Sequence, residues 1–136
     1  GRVGDSPIAG HGLFVDPGVG QAIATGTGEL ISGICAGAVA VEILRRGGTP
    51  RDAVIETLQR VERVGDLRPH HQVGMIVMDA RGRVASGGFR PGFLIAIRDI
   101  EGGRLVEPDL VLRPDDQGLP ESAREGLAKS VPPTSP

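Results

Sequence analysis

The chain has 136 residues, of which 39% are hydrophobic but only 2% aromatic, with a formal net charge of −2 and a single cysteine, Cys35. That length makes one domain or a large piece of one, with a core built from Val, Ile, Leu and Ala. The charge gives no electrostatic case for nucleic acid, the lone cysteine excludes an internal disulfide and an all-cysteine metal site, and the longest apolar run, Leu30 to Val41, is too short to cross a bilayer.

Residues 1–11 are rich in Gly, Pro, Asp and Ser and predict a loop. Its first seven residues read Gly1-Arg2-Val3-Gly4-Asp5-Ser6-Pro7. Arg2 and Asp5 present one fixed positive and one fixed negative charge, the complement of a free amino acid. Arginine grips a carboxylate through two parallel N–H···O bonds, and an aspartate accepts from an ammonium. A surface ion pair within a turn is the plain alternative. His11, between two glycines, reads as a loop residue near the pocket. Leu13-Phe14-Val15 and Ala22-Ile23-Ala24, separated by Asp16-Pro17-Gly18, predict a hairpin.

Thr25-Gly26-Thr27-Gly28-Glu29 comes next. A Gly-rich turn entering a helix presents free N–H groups to an anion and can form an oxyanion hole. An ordinary strand-to-helix turn with a Thr cap is the alternative. The motif is not a dinucleotide fingerprint, because Ile31 stands where the third glycine belongs, and no Gly-Lys-Ser/Thr of a P-loop occurs. With the first motif it suggests a pocket for an aspartyl or asparaginyl group.

Glu29 to Arg46 predicts one helix, with Leu30, Ile34, Ala38, Val41 and Leu44 on its apolar face and Gly47 as its stop. Cys35 falls inside this helix, one position from the apolar face, and reads as a buried inert thiol. Thr49 as N-cap and Pro50 in the first helical position open a second helix ending near Gly65, with Val54, Leu58 and Val61 inward. Gly65 to His71 is a polar connection, in which His70-His71 has no further ligand at metal spacing. Val73 to Met78, apolar on both alternations, predicts a central strand covered on both faces, with Met75 and Met78 in the core. Asp79 to Gly82 is a turn, Val84 to Gly88 pairs back, Phe93 to Arg98 is another strand, and Arg104 to Val106 a short edge strand.

From Arg113 onward five of the eleven prolines gather, so residues 1–112 read as the domain and 113–136 as a flexible Pro-rich tail, with a short helix over Pro120 to Lys129 as the alternative. Strands, two consecutive helices, then strands joined by tight turns predict an α+β fold with a mainly antiparallel sheet.

The two motifs together resemble the asparaginase-2 family of N-terminal-nucleophile hydrolases, whose members share a Gly-Arg-Val-Gly-Asp-Ser-Pro segment followed by Thr-Gly-x-Gly-(Asp/Glu), here residues 1–7 and 25–29. The likeness continues through Ile8 to Asp16, Val41 to Leu44, Gly48-Thr49-Pro50 and Gln72 to Ile76, and fades after about residue 112. The segment from Gln72 to Phe93 is similar to the glycosylasparaginase branch, whereas Thr25 to Glu29 is similar to the isoaspartyl peptidase/asparaginase form. The resemblance implies part of a four-layer αββα sandwich, usually as paired αβ units. It implies hydrolysis of the side-chain amide of N4-(β-N-acetylglucosaminyl)-L-asparagine, with a β-aspartyl peptide or asparagine as the alternative substrate. Arg2 would bind the α-carboxylate and Asp5 the α-ammonium, with Val3, Gly4, Thr27 and Gly28 beside them. The Thr25 hydroxyl and Gly26 N–H would form the oxyanion hole. No metal, organic cofactor, nucleic acid or membrane partner is implied.

In the family a precursor cleaves itself, and the new N-terminal Thr attacks the amide with its own amine as base. That Thr should precede Gly1, whereas Thr25, Thr27, Thr49, Thr57 and Thr134 are all internal. The chain is therefore expected to be the later part of a longer precursor, inactive alone, with its compartment left open. A binding subunit without chemistry, or a gene remnant, is the reading from another class. Strands missing from the sandwich would leave apolar surface exposed and promote aggregation.

Overall fold

The computed structural model describes residues 4–114. Strands β1 (Leu13–Asp16) and β2 (Gly20–Gly26) are followed by helices α1 (Gly28–Ser32), α2 (Ala36–Arg45) and α3 (Pro50–Val64). Strands β3 (Val73–Asp79), β4 (Val84–Gly88), β5 (Ile95–Asp99), β6 (Gly102–Val106) and β7 (Leu110–Val111) complete the order. The main sheet runs β1-β2-β3-β4-β7, antiparallel except for the parallel pair β4–β7, and β5–β6 forms a separate antiparallel hairpin. The fold is thus α+β with a mostly antiparallel sheet.

Alternation along the strands sends successive side chains to opposite faces. Ala22 and Ala24 of β2, Val73, Met75 and Val77 of β3, and Ala85 of β4 are buried with Val41 and Leu44 of α2 and Val54, Leu58 and Val61 of α3. Both long helices therefore lie on one face. On the opposite face Leu13, Ile23 and Ile76 stand in one cross-strand row, and Val15, Met78 and Val84 belong to the next. Leu13, Val15, Ile23 and Val84 are 41–57% exposed. The expected cover on both faces of the central strand is therefore only half realised. Gly74 of β3 is buried, because the Phe93 ring packs against it, but Ile76 and Met78 are only half-buried.

The single helix predicted over Glu29 to Arg46 is two helices. The chain breaks at Gly33-Ile34-Cys35, where Cys35 is left-handed at φ 52° and its thiol is exposed rather than buried. Apolar spacing runs unbroken through the gap, since Leu30, Ile34, Val41 and Leu44 are all buried. What separates the helices is the loop before β1: its Gly10 and His11 carbonyls accept the N–H groups of Ala38 (3.0 Å) and Gly37 (2.7 Å) at the start of α2. A helix leaves its first N–H groups unpaired, and here backbone from elsewhere in the chain meets them.

At the other end Gly47, at φ +94°, stops α2 as expected, with Gly47 N–H on Leu44 and Gly48 N–H on Ile43. Thr49 caps α3 reciprocally with Asp52, and Pro50 occupies the first turn. Arg104 to Val106 is not an edge of the main sheet: it extends to Gly102 and pairs with β5. The parallel strand β7 had no sequence signal. It is pinned by Asp109, whose carboxylate accepts from the Ser86 backbone N–H (2.8 Å) and hydroxyl (2.6 Å) of β4. Leu112 and Arg113 continue to bond Gly88 and Phe89. The proposed helix over 120–129 lies outside the described residues.

Candidate active site

Strand β2 ends in Thr25 and Gly26, and Thr27 is the N-cap of α1. Thr25 follows Ile23 by two residues, so it stands on the open face of the sheet. The loop 4–12 folds back beside it through Ile8 N–H to Asp5 O (3.1 Å) and His11 N–H to Ile8 O (3.0 Å). Gly12 permits this approach, because a Cβ there would strike the backbone of Asp5 and Ser6.

This fold-back joins the two sequence motifs. The Ser6 hydroxyl donates a long hydrogen bond (3.4 Å) to Thr25 Oγ1. Accepting from Ser6 leaves the Thr25 O–H to donate onward. The half-buried Asp5 carboxylate lies against Gly28, in the space a Cβ would take. A carboxylate here can accept from a cation, while a hydroxyl and a backbone N–H can donate to an anionic oxygen. Gly4 is exposed at φ +78°. Arg2 and Val3 lie outside the described residues.

Gly26 takes φ +121°, and a Cβ there would collide with the Gln72 carbonyl. Ala24 N–H points toward β1, donating to Gly12 O (2.8 Å), and Thr27 N–H points toward β3, donating to Gln72 O (2.7 Å). Alternation along the ladder therefore turns the Gly26 N–H toward the side of β1, beyond the last β1–β2 pair, Leu13 with Ile23. Thr27 is turned away from any such site: its hydroxyl accepts the Gln72 backbone N–H (3.2 Å) and makes no cap bond to α1.

A cavity of about 580 Å³ lies on the open face beside Thr25 and Ser6, walled by Leu13, Ile23, Ile76 and Phe93. Thr25 pairs with Gly74 and Gly74 with Gly88, so one cross-strand row carries a hydroxyl and then two bare backbones. The Phe93 ring covers both glycines and borders the cavity. Neither Ser6 nor Phe93 had a role in the sequence reading. Ser6 sat inside a motif read for its charges, and Phe93 becomes a wall only once the Gly74–Gly88 pairing is known.

The remaining candidates are elsewhere. His11 Nδ1 lies 3.1 Å from Ser32 Oγ, at the break between α1 and α2. The rings of His70 and His71 meet edge to face in the loop before β3, and His71 Nδ1 accepts from Arg68 N–H (3.2 Å). Among the described residues no three His, Cys, Asp or Glu side chains cluster to hold a metal ion, and no helix is long and apolar enough to cross a membrane.

Comparison with known proteins bears on what this geometry serves. The sequence model of a family described as asparaginase matches residues 1–102. The N(4)-(beta-N-acetylglucosaminyl)-L-asparaginase of Elizabethkingia miricola is 38% identical over 117 residues, which cover 83% of this chain and 34% of that protein. An L-asparaginase-like protein of Drosophila pseudoobscura pseudoobscura is 38% identical over 87 residues, 63% of this chain and 18% of that protein. The chain thus spans about a third or less of the length of these relatives.

Proposed function

Because the chain belongs to the asparaginase-2 family of amidohydrolases, we propose that residues 1–112 form the part of its domain that holds the aspartyl group and stabilises the oxyanion. The whole protein, in this reading, cleaves the side-chain amide of N4-(β-N-acetylglucosaminyl)-L-asparagine. The observation that carries it is the joining of the two motifs, Asp5 against Gly28 and Ser6 on Thr25. The relative from Elizabethkingia miricola, which bears that substrate in its name, supports the choice of amide.

The chemistry assigns each residue a task. Arg2 pairs with the substrate's α-carboxylate, and Asp5 accepts from its α-ammonium, with Val3 and Gly4 holding the two charges apart. A threonine outside this chain supplies the nucleophile. Its Oγ bonds to the amide carbon while its own α-amine takes the hydroxyl proton. The carbonyl oxygen gains negative charge, which the Thr25 O–H and Gly26 N–H receive. The C–N bond then breaks, the proton passes to the leaving glycosylamine, and a β-aspartyl ester remains for water to hydrolyse. Gly28 makes room for Asp5, and Thr27 fixes the turn.

The open sheet face supports the four-layer αββα sandwich as the whole architecture, since a second sheet would cover Leu13, Val15 and Ile23. Paired αβ units belong to the same proposal and are tested by the mass of the native particle.

The test is hydrolysis by the full-length protein of glycosylated asparagine against a β-aspartyl dipeptide. Faster release from the glycosylated substrate is expected. Preference for the dipeptide would move the protein to the isoaspartyl peptidase/asparaginase reading, which the Thr25 to Glu29 sequence favours. Aspartate binding without turnover would leave a binding subunit. Purified residues 1–136 alone are expected to release no product, because every threonine in them is internal, and turnover by that piece would refute the assignment of the nucleophile.

A further inference from the structure

We propose that Gln72 is the positioning residue that aims the Gly26 N–H. This rests on the oxyanion role given to Gly26 above. Gln72 stands immediately before β3 and opposite Thr27, one step beyond the Gly26–Val73 pair. Every polar group it owns is engaged. Its backbone carbonyl accepts Thr27 N–H (2.7 Å), and its backbone N–H donates to the Thr27 hydroxyl (3.2 Å). Its side-chain Nε2 donates to Arg90 O (2.8 Å), and its Oε1 accepts from Arg90 N–H (3.0 Å) and Val73 N–H (3.2 Å).

Two consequences follow for Gly26. The Gln72 carbonyl occupies the space beside the Gly26 Cα, so the glycine's φ of +121° is fixed by contact as well as by the ladder. The Gly26 N–H lies in the Thr25–Gly26 peptide plane, which the φ of Gly26 joins to the following plane held by the Thr27 N–H bond, so a shift of Gln72 frees that φ and with it the direction of the N–H. Gln72 is in turn anchored through its side chain. The Arg90 backbone it grips belongs to a residue only 6% exposed, whose guanidinium donates to the carbonyls of His71 and Arg68. The side-chain amide thus ties the Thr25–Gly28 turn to a buried arginine on the far side of β3. A donor aimed at a developing charge is useful only if its direction is held by neighbours that do not yield.

The substitution Gln72→Ala removes both bonds to Arg90 and the one to Val73, freeing the strand end to shift. Gln72→Glu keeps an acceptor for the Arg90 and Val73 N–H groups but turns a second carboxylate oxygen toward the Arg90 carbonyl, so it breaks that one tie and leaves the other two. The experiment uses the full-length protein with glycosylated asparagine as substrate. Binding-competent sites are counted by titration with aspartate, and kcat is expressed per competent site. Loss of an oxyanion donor outright costs about a hundred- to a thousandfold in kcat. A donor left in place but loosened is expected to cost less, about 10- to 100-fold for Gln72→Ala. KM is expected to stay within about twofold, because Gln72 touches neither Asp5 nor the aspartyl group. Gln72→Glu should likewise lower kcat with KM nearly unchanged.

A purely structural role would reduce the number of competent sites and leave kcat per site unchanged, and that result overturns the proposal. If Gln72→Ala does not fold, Gln72→Glu decides: a lowered kcat at constant KM supports the assignment, and an unaltered kcat overturns it. No turnover by the wild type sinks the amidohydrolase reading and this assignment with it. Wild-type turnover that Gln72 substitution leaves intact sinks this assignment alone.

Discussion

The carboxylate of Asp5 occupies the place where a side chain at residue 28 would begin. A Cβ on Gly28 would lie within 3.0 Å of the Asp5 Cβ and closer still to its carboxylate. Gly28 opens α1, where an alanine is no worse for the helix than glycine. The obstacle is the far end of one flexible side chain, which can swing away. Gly28→Ala should therefore leave the melting temperature nearly unchanged while displacing Asp5. Aspartate binding to the full-length protein is expected to weaken by about 10- to 100-fold, the worth of a hydrogen bond to a charged group. Calorimetric titration checks it, and wild-type affinity in the variant would detach Asp5 from the proposed pocket.

Gly37 presents the opposite case. Glycine inside a helix is usually improved by alanine, by roughly 1 kcal/mol. A Cβ on Gly37, however, would stand 2.9 Å from the His11 carbonyl oxygen and 3.2 Å from the Phe14 Cβ. The carbonyl is backbone and is held by Gly37 N–H at 2.7 Å, so it cannot step aside cheaply. Overpacking of this kind costs about 1–3 kcal/mol. Gly37→Ala should destabilise the protein, measured as a lower denaturant midpoint at unchanged slope, and a raised midpoint would count against the tight seat of residues 10–11 on α2.

Thr57 offers a stabilising change. It is fully buried on α3, and its hydroxyl has no hydrogen-bond partner among the described residues. A buried polar group left unpaired costs about 1–3 kcal/mol. Valine has the same shape and no such group, and it is no worse in a helix. Thr57→Val is expected to raise stability by about 1 kcal/mol. Urea melts of the two proteins decide it, and a destabilised variant would mean that the hydroxyl is satisfied in solution.

The cap of α3 gives a pH dependence with a definite sign. The Thr49 hydroxyl and backbone N–H both donate to the Asp52 carboxylate, at 2.7 and 2.8 Å, and they hold its pKa below the ordinary 3.8. A group whose pKa is depressed on folding contributes stability above its unfolded pKa and loses it as pH falls through the folded one. The advantage of wild type over Thr49→Ala in melting temperature should therefore be full at pH 7 and shrink below about pH 4. A gap that widened on acidification would contradict the role of the Asp52 carboxylate.

Asp79 behaves alike in the turn between β3 and β4. Burial works against its charge, but bonds from the Arg83 side chain (2.6 Å) and from the Arg83 and Arg81 N–H groups (2.9 Å each) outweigh it and leave the pKa lowered. Asp79→Ala should cost stability in full at neutral pH and progressively less as pH falls below about 4, where the wild type loses the same contribution. Melts at pH 7 and pH 3 separate the two.

Local chemistry was the legible part of this chain. Thr49-Pro50 marked the start of α3, and Gly47 marked the end of α2, because a cap is written in neighbouring residues. Val54, Leu58 and Val61 faced inward because spacing alone fixes a helical face. The break at Cys35 was hidden: the apolar spacing passes through it, and its cause is the carbonyls of Gly10 and His11, some 25 residues earlier in the chain. β7 was hidden for a similar reason, since two residues carry no period and the strand is held by Asp109 reaching Ser86. For the candidate site, charges and glycines singled out residues 1–7 and 25–29 as motifs, whereas Gln72 entered only within a stretch of family likeness, and its place opposite Thr27 comes from the register.

One consequence of the half-covered sheet concerns how its strands tolerate change. Ala22 and Ala24 of β2 look inward to the helices, and Ile23 and Thr25, between and after them, look the other way. A substitution scan of this strand scored by melting temperature would respond chiefly to the even-numbered positions. In the proposed reading, the same scan scored by turnover of the full-length protein would respond to Thr25 and, through its N–H, to Gly26. Two tolerance maps therefore share a strand of seven residues, and an average over the strand would describe neither.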